Sequence, residues 1–351
     1  KENFGVLSDH PELIDINAVN NNGAADWIHG NSIAYNPERD EIVLSSRKLS
    51  EIYIIDHSTT TAEAASHSGG NKGQGGDILY RWGNPQIYDQ GLETDRAFFG
   101  QHDAHWIPNG YPDGGKLIVF NNGRNRTPFE FSSVEIISPP VDGNDAYVYG
   151  GSGFGPETPD WTYESIGTDT LFASYISGSH ELPNGNVLLC DGPAGVIYEV
   201  DQSGQIGWEY LIPVNGNGPI DQGAQPNGNL AFRARRYALN FSGLVGRNLT
   251  PGDPLEGNPS LSECAPEYLD VTEWNKSEIK LYPNPTNGLF SIDTKLKIET
   301  VQVFDAIGNL VLTSYSMNGQ VLDMSPFSNG IYHVVIRSDK QVVHENLSVT
   351  K

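Results

Sequence analysis

Three stretches of this chain can be laid over one another, and that repetition restricts the fold more than any other feature. The first runs from His29 to Asp56, the second from His102 to Ile137 and the third from Ser177 to Asp201. Each reads as a strand, a turn, a second apolar strand, a loop and a third strand. The turns are Asn36-Pro37, Pro108-Asn109-Gly110 and Pro183-Asn184-Gly185. Pro-Asn-Gly presets one turn residue through the fixed φ of proline and supplies a left-handed one, which is hairpin chemistry. Second strands are expected at Glu41–Ser45, Lys116–Phe120 and Asn186–Cys190. A fourth strand follows each unit, at Ile78–Trp82, Trp161–Glu164 and Ile206–Tyr210, each with a tryptophan beside polar residues. A fourth copy opens at Gln225-Pro226-Asn227-Gly228-Asn229-Leu230. Four strands per unit, at a spacing of about 50–75 residues, is the signature of a propeller blade. A Greek-key sandwich is the competing architecture, but it does not repeat its turn chemistry in this way.

The expected fold class is therefore all-β, with a β-propeller body over residues 1–249. Only about four units fit before Phe241, fewer than a closed ring usually holds. The chain opens abruptly at Lys1 with no signal peptide. The expectation is that a leader and the first blades have been removed, a small ring being the alternative. The 39 Gly and 22 Pro agree with many short strands rather than long helices. A formal net charge of -23 repels phosphate backbones and argues against a nucleic-acid partner, although such acidity also serves solubility alone. No run is long and apolar enough to span a membrane. Cys190 and Cys264 could form one bridge, or Cys190 could be a buried thiol.

Residues 250–278 are rich in Pro, Gly, Ser and acidic side chains and read as a linker. Residues 279–351 alternate with period two and are expected to form a small β-sandwich. They open on Leu281-Tyr282-Pro283-Asn284-Pro285-Thr286-Asn287-Gly288, continue through Val303-Phe304-Asp305, and close on Gly330-Ile331-Tyr332-His333-Val334-Val335-Ile336. Separated motifs in this order resemble the type A sorting domain of proteins exported by the type IX secretion system of Bacteroidetes. The resemblance implies handling by that machinery, export across the outer membrane, and a mature body that is released or held at the cell surface.

With the turns aligned, the histidines fall into two columns: His29 with His102, and His105 with His180. Residues three apart in a regular strand face opposite ways, so His102 and His105 share a pocket only if a bulge re-aims one of them. The same spacing argues against a metal site at His102-Asp103-Ala104-His105. His57, His67, His333 and His344 lie in loops or the tail and fit ordinary polar roles. Arg47 and Arg124 end the second strands, and convergent His and Arg in an acidic protein suggest a local anion site.

Trp27-Ile28-His29-Gly30-Asn31-Ser32-Ile33, Ser45-Ser46-Arg47, Gly100-Gln101-His102-Asp103-Ala104 and the Phe120–Gly123 loop resemble the arylsulfotransferase family, over most of Ala25 to Arg236. The resemblance implies a propeller enzyme that moves a sulfuryl group from an aryl sulfate to a phenolic acceptor through a sulfo-histidine. It implies catalytic roles for His29, His102 and Arg124, and places His180 at the nucleophile's distance. Arg47, His105 and Asn31 would bind substrate, with His105 as the alternative nucleophile. No cofactor and no metal are called for, and a homodimer is left open. The competing readings are a non-catalytic propeller that binds sulfated or acidic polysaccharide, and a metal-assisted hydrolase.

Overall fold

The structure is a computed structural model that describes residues 5–18, 25–165, 170–224, 227–238, 241–259, 280–294, 296–305, 309–315, 321–338 and 342–351. The chain divides into two compact units, Lys1–Pro259 and Ser260–Lys351. Most of the segment expected to be a linker, from 260 onward, lies outside the described residues, as does Cys264. Cys190 is a buried thiol whose pKa is pushed up to about 12 by burial.

Each of the three repeats in the first unit is a four-stranded antiparallel sheet whose strands lie side by side in chain order. Sheet one holds β1 (Gly30–Asn36), β2 (Glu41–Ser46), β3 (Glu51–Asp56) and β4 (Ile78–Trp82). Sheet two holds β5 (His102–Trp106), β6 (Leu117–Asn121), β7 (Ser133–Ile137) and β8 (Trp161–Glu164). Sheet three holds β9 (Gly178–Glu181), β10 (Val187–Asp191), β11 (Val196–Val200) and β12 (Ile206–Leu211). The fold is thus almost entirely β. Gly110 and Gly185 take φ of 88° and 85° in the turns between first and second strands, the left-handed residue that Pro-Asn-Gly supplies. One short helix, α1 (Thr61–Ala64), interrupts the long β3–β4 connection and is capped by Thr60 and Glu63. A short hairpin, β13 (Val214–Asn215) and β14 (Gly218–Pro219), follows sheet three.

Sheet two shows why the second strands are continuously apolar. Leu117, Val119 and Ile137 pack with Val43, Ile52, Ile54 and Leu79 of sheet one. Ile118, Phe120, Val134 and Ile136 pack with Val187, Leu189 and Val200 of sheet three. Successive side chains of a strand point to opposite faces, so a sheet with cores on both sides needs an unbroken apolar run and not an alternating one. Each such side chain contributes about 1.5–3 kcal/mol by leaving water. The first strands also pack on one another, β1 on β5 and β5 on β9, so the residues at their starts meet.

Among the described residues, the fourth copy forms no fourth sheet of this unit. Residues 227–238 contain no strand and run as a strap over the first strands. Ala231 N–H donates to Gly192 O, and Phe232 O accepts from Ser177 N–H. Arg233 reaches the carbonyl of Asn31 in β1 and the carboxylate of Asp103 in β5, while Arg235 reaches Asp103 and the carbonyl of Ser179 in β9. The segment satisfies its polar groups against three strands at once, which a hairpin pairing would not allow.

The second unit pairs a three-stranded and a four-stranded sheet. The first is ordered β15 (Lys280–Tyr282), β16 (Leu289–Asp293), β19 (Val321–Asp323); the second is ordered β18 (Leu310–Tyr315), β17 (Ile298–Phe304), β20 (Gly330–Ser338), β21 (Val342–Val349). Phe290, Leu322 and Met324 pack against Val301, Val303, Val334, Ile336 and Leu347. This is the expected small sandwich, its inward residues spaced by two.

Candidate active site

His29 stands at the entrance to β1 with φ 53°, a left-handed conformation that costs a non-glycine residue about 1–3 kcal/mol. Neighbouring bonds hold it there. Arg47 N–H donates to His29 O at 3.2 Å and Lys48 N–H to Ile28 O at 3.2 Å, with the Ser46 hydroxyl on the same Ile28 carbonyl. The ring's Nδ1 lies 2.7 Å from Asp26 Oδ2. Residues Ala25–Gly30 line a surface hollow of about 440 Å³ around it.

The His29 ring meets that of His102 edge to face, with centroids 6.5 Å apart. His102 opens β5 and is buried. Its Nδ1 lies 2.6 Å from Asn122 Oδ1 and 3.2 Å from Gly100 O. Both partners are acceptors, because Asn122 spends its Nδ2 on the carbonyls of Ala173 and Ile176 at 2.6 and 2.9 Å. The proton therefore sits on Nδ1, and the lone pair sits on Nε2. Burial first, then the Arg47 and His29 charges, push His102 down to about 4, so the ring is neutral at pH 7.

Arg47 is half-buried, and its pKa is lowered by that burial and by Arg124 beside it. Among the described residues, no carboxylate forms an ion pair with Arg47 or Arg124. In a chain of net charge -23, two neighbouring guanidiniums without such a partner form a local patch of positive charge.

His105 and His180 lie in a second cluster. The register of β5 slips between His102 and His105, with Asp103 at φ 61° inside the bulge, so the two histidines serve different neighbourhoods. His105 donates through Nδ1 to Asp103 O at 2.7 Å, and burial takes its pKa down to about 3. His180 lies in the regular strand β9, where its Nε2 accepts the Arg236 N–H at 3.1 Å and its buried Nδ1 has no partner. Burial and then Arg235 lower it to about 4. The hub of this cluster is Asp103, whose carboxylate takes Arg233 at 2.7 Å and Arg235 at 2.6 Å. Gly178 is what admits it, since a Cβ there would lie 2.3 Å from Asp103 Oδ2.

The structure thus brings together His29, His102, Arg47 and Arg124, and separates His180 and His105 from them. His180 lies with the strap, which engages its Nε2 through the Arg236 N–H. Asn31 in β1 donates its amide to Gln101 O at 2.6 Å. His57 and His67 pair with Asp40 and Asp77 at the surface. Asp26 and Asn122 were missed in the sequence. The only signal for Asp26 is its place three residues before His29, and the only one for Asn122 is its place in the Phe120–Gly123 loop. Among the described residues, no three His, Cys, Asp or Glu cluster as metal ligands, and no helix is long and apolar enough to cross a membrane.

Strand repeats whose first strands gather histidine and arginine, joined to a terminal sandwich, define the class: an all-β protein of two units. Known families give the particulars. Residues 12–134 match the arylsulfotransferase family, which supports a sulfotransferase-type function, and residues 280–350 match the secretion system C-terminal sorting domain. The sorting domain marks the chain for type IX secretion, to the cell surface or beyond it. No curated protein matches the chain. Among solved structures, it is similar to a protein of unknown function from Bacteroides caccae, at 14% identity over 52% of this chain and 45% of that one, with a TM-score of 0.29. It is also similar to the extracellular domain of a hybrid two-component system from B. thetaiotaomicron, at 9% identity over 92% of this chain and 44% of that one, with a TM-score of 0.28. The chain spans less than half the length of either.

Proposed function

We propose that the first unit is built from propeller blades and transfers a sulfuryl group from an aryl sulfate to a phenol through a sulfo-histidine, with His102 as the nucleophile. The observation that carries this reading is the fixed tautomer of His102. A sulfate ester resists nucleophiles because it is anionic, so transfer needs an aligned neutral nucleophile and positive charge on the equatorial oxygens. His102 supplies the first. Its Nε2 lone pair attacks sulfur, the S–N bond forms, and the aryl oxygen leaves with the electrons of the S–O bond. The imidazole becomes cationic, and the Nδ1–H bond to Asn122 Oδ1 strengthens as that charge develops. Arg47 and Arg124 supply the second requirement, holding the sulfuryl oxygens. The hollow beside Ala25–Gly30 takes the aryl ring. A phenol then attacks the sulfo-histidine, which gives ping-pong kinetics.

The test is to incubate the full chain with 4-nitrophenyl sulfate, with and without phenol. Release of nitrophenol should accelerate when phenol is present, and His102→Asn should abolish it. If His102→Asn stays active and His180→Asn is dead, the nucleophile is wrong. Binding of the sulfate ester without any release would make the first unit a binding protein.

A further inference from the structure

The proposed transfer leaves one proton unaccounted for. A phenolate departs in the first half-reaction and an acceptor phenol must lose its proton in the second. The His29 ring meets that of His102, and neighbouring backbone bonds hold it in a strained left-handed conformation. Its Nδ1 is 2.7 Å from Asp26 Oδ2, an exposed carboxylate three residues earlier. A carboxylate accepts only, so Nδ1 carries a proton and Nε2 is left as the working nitrogen. The bond to His29 is the largest influence on Asp26, and it holds that carboxyl below the usual range.

We propose that His29 and Asp26 form an acid–base dyad for this transfer, an assignment that rests on the sulfuryl-transfer reading above. His29 is the catalytic acid and base, and Asp26 is a positioning residue that fixes its tautomer and supports its charge. In the first half-reaction His29 is an imidazolium with Nδ1–H on Asp26. The S–O bond to the aryl group breaks, the S–N bond to His102 forms, and the departing oxygen takes the Nε2 proton. His29 is then neutral. In the second half-reaction that Nε2 takes the proton of the acceptor phenol, the new O–S bond forms, the S–N bond breaks, and both histidines return to their starting states. The proton given first equals the proton taken later, so no water or outside base is consumed.

A proton donor matters most for a poor leaving group. The test compares phenyl sulfate with 4-nitrophenyl sulfate, whose phenol is more acidic, in the full-length wild-type chain and in Asp26→Asn, Asp26→Glu and His29→Gln. Asp26→Asn and His29→Gln should lower kcat for phenyl sulfate by about 100-fold and for 4-nitrophenyl sulfate by about 10-fold or less, with KM little changed. Asp26→Glu should restore part of the phenyl sulfate rate. Equal losses on both donors, or losses confined to KM, overturn the dyad while leaving His102 as nucleophile. If the wild-type chain releases phenol from neither donor, the sulfuryl-transfer reading fails and the dyad with it.

Discussion

The Nδ1–H of His102 donates to Oδ1 of Asn122 across 2.6 Å, and Asn122 cannot turn its amide round, because its Nδ2 is committed to the carbonyls of Ala173 and Ile176. One side chain therefore joins the histidine of β5 to the segment leading into β9, and sets which nitrogen of that histidine carries the proton.

Replacing Asn122 should damage reactivity and stability through separate routes. Asn122→Ala frees the His102 tautomer and leaves two carbonyls without their donor. The expected loss in kcat for an aryl sulfate is up to about 10⁴-fold, the scale of a wrong tautomer. Stability should fall by about 1–3 kcal/mol, as for buried groups left unsatisfied. Turnover assays and urea unfolding of the same preparation separate the two effects.

The histidine that carries the sulfo group can be read directly. His180→Asn should keep turnover within several-fold of wild type, since it removes only an acceptor for Arg236 N–H. His102→Asn should lose about 10³-fold or more. Mass spectrometry of protein quenched with donor alone should find the added group in His180→Asn and none in His102→Asn.

Acid should unfold the first unit in a defined window. His102, His105 and His180 are held near 4, 3 and 4 in the folded chain, against an ordinary value of 6.5. The unfolded chain therefore binds more protons between about pH 6.5 and 4, and stability falls as pH drops through that range. It should be fully present above 6.5, and the sum is on the order of several kcal/mol. Urea midpoints measured from pH 8 to 4 should fall, and a His105→Gln/His180→Gln variant should flatten the slope. While the chain stays folded, His102 remains neutral, so turnover at pH 5.5 should not be limited by its protonation.

Asp103 holds the strap in place. Asp103→Ala would leave Arg233 and Arg235 without their shared carboxylate, a loss of about 3–5 kcal/mol by the usual cost of breaking a buried pair. Thermal unfolding checks the magnitude. Faster proteolysis near residues 231–236 would locate the effect in the strap.

Much of the fold was legible because its causes are local. The Pro-Asn-Gly turns fixed where hairpins fall, and the unbroken run at Leu117–Phe120 marked a strand buried on both faces. The strands with tryptophans at Ile78–Trp82 and Trp161–Glu164 lie where the pattern put them. The tail's motifs and alternation were equally direct. The fourth copy misled for a related reason. Its opening shares the turn chemistry of the others, but its arginines find acceptors on three strands and its backbone follows them.

The sequence by itself determined the repeated sheets, the sorting tail, and the division of the histidines into two columns. Only the tertiary structure decided which partners each column meets. Asp103 sits in its bulge because Arg233 and Arg235, 130 and 132 residues later, close on its carboxylate. Asn122 sets the His102 tautomer because carbonyls 51 and 54 residues away hold its amide. A hydrogen bond is specific to position and angle, and neither is written in spacing along the chain. The matched histidines are a fact of sequence, whereas the proton on Nδ1 of His102 and the engaged Nε2 of His180 are facts of packing.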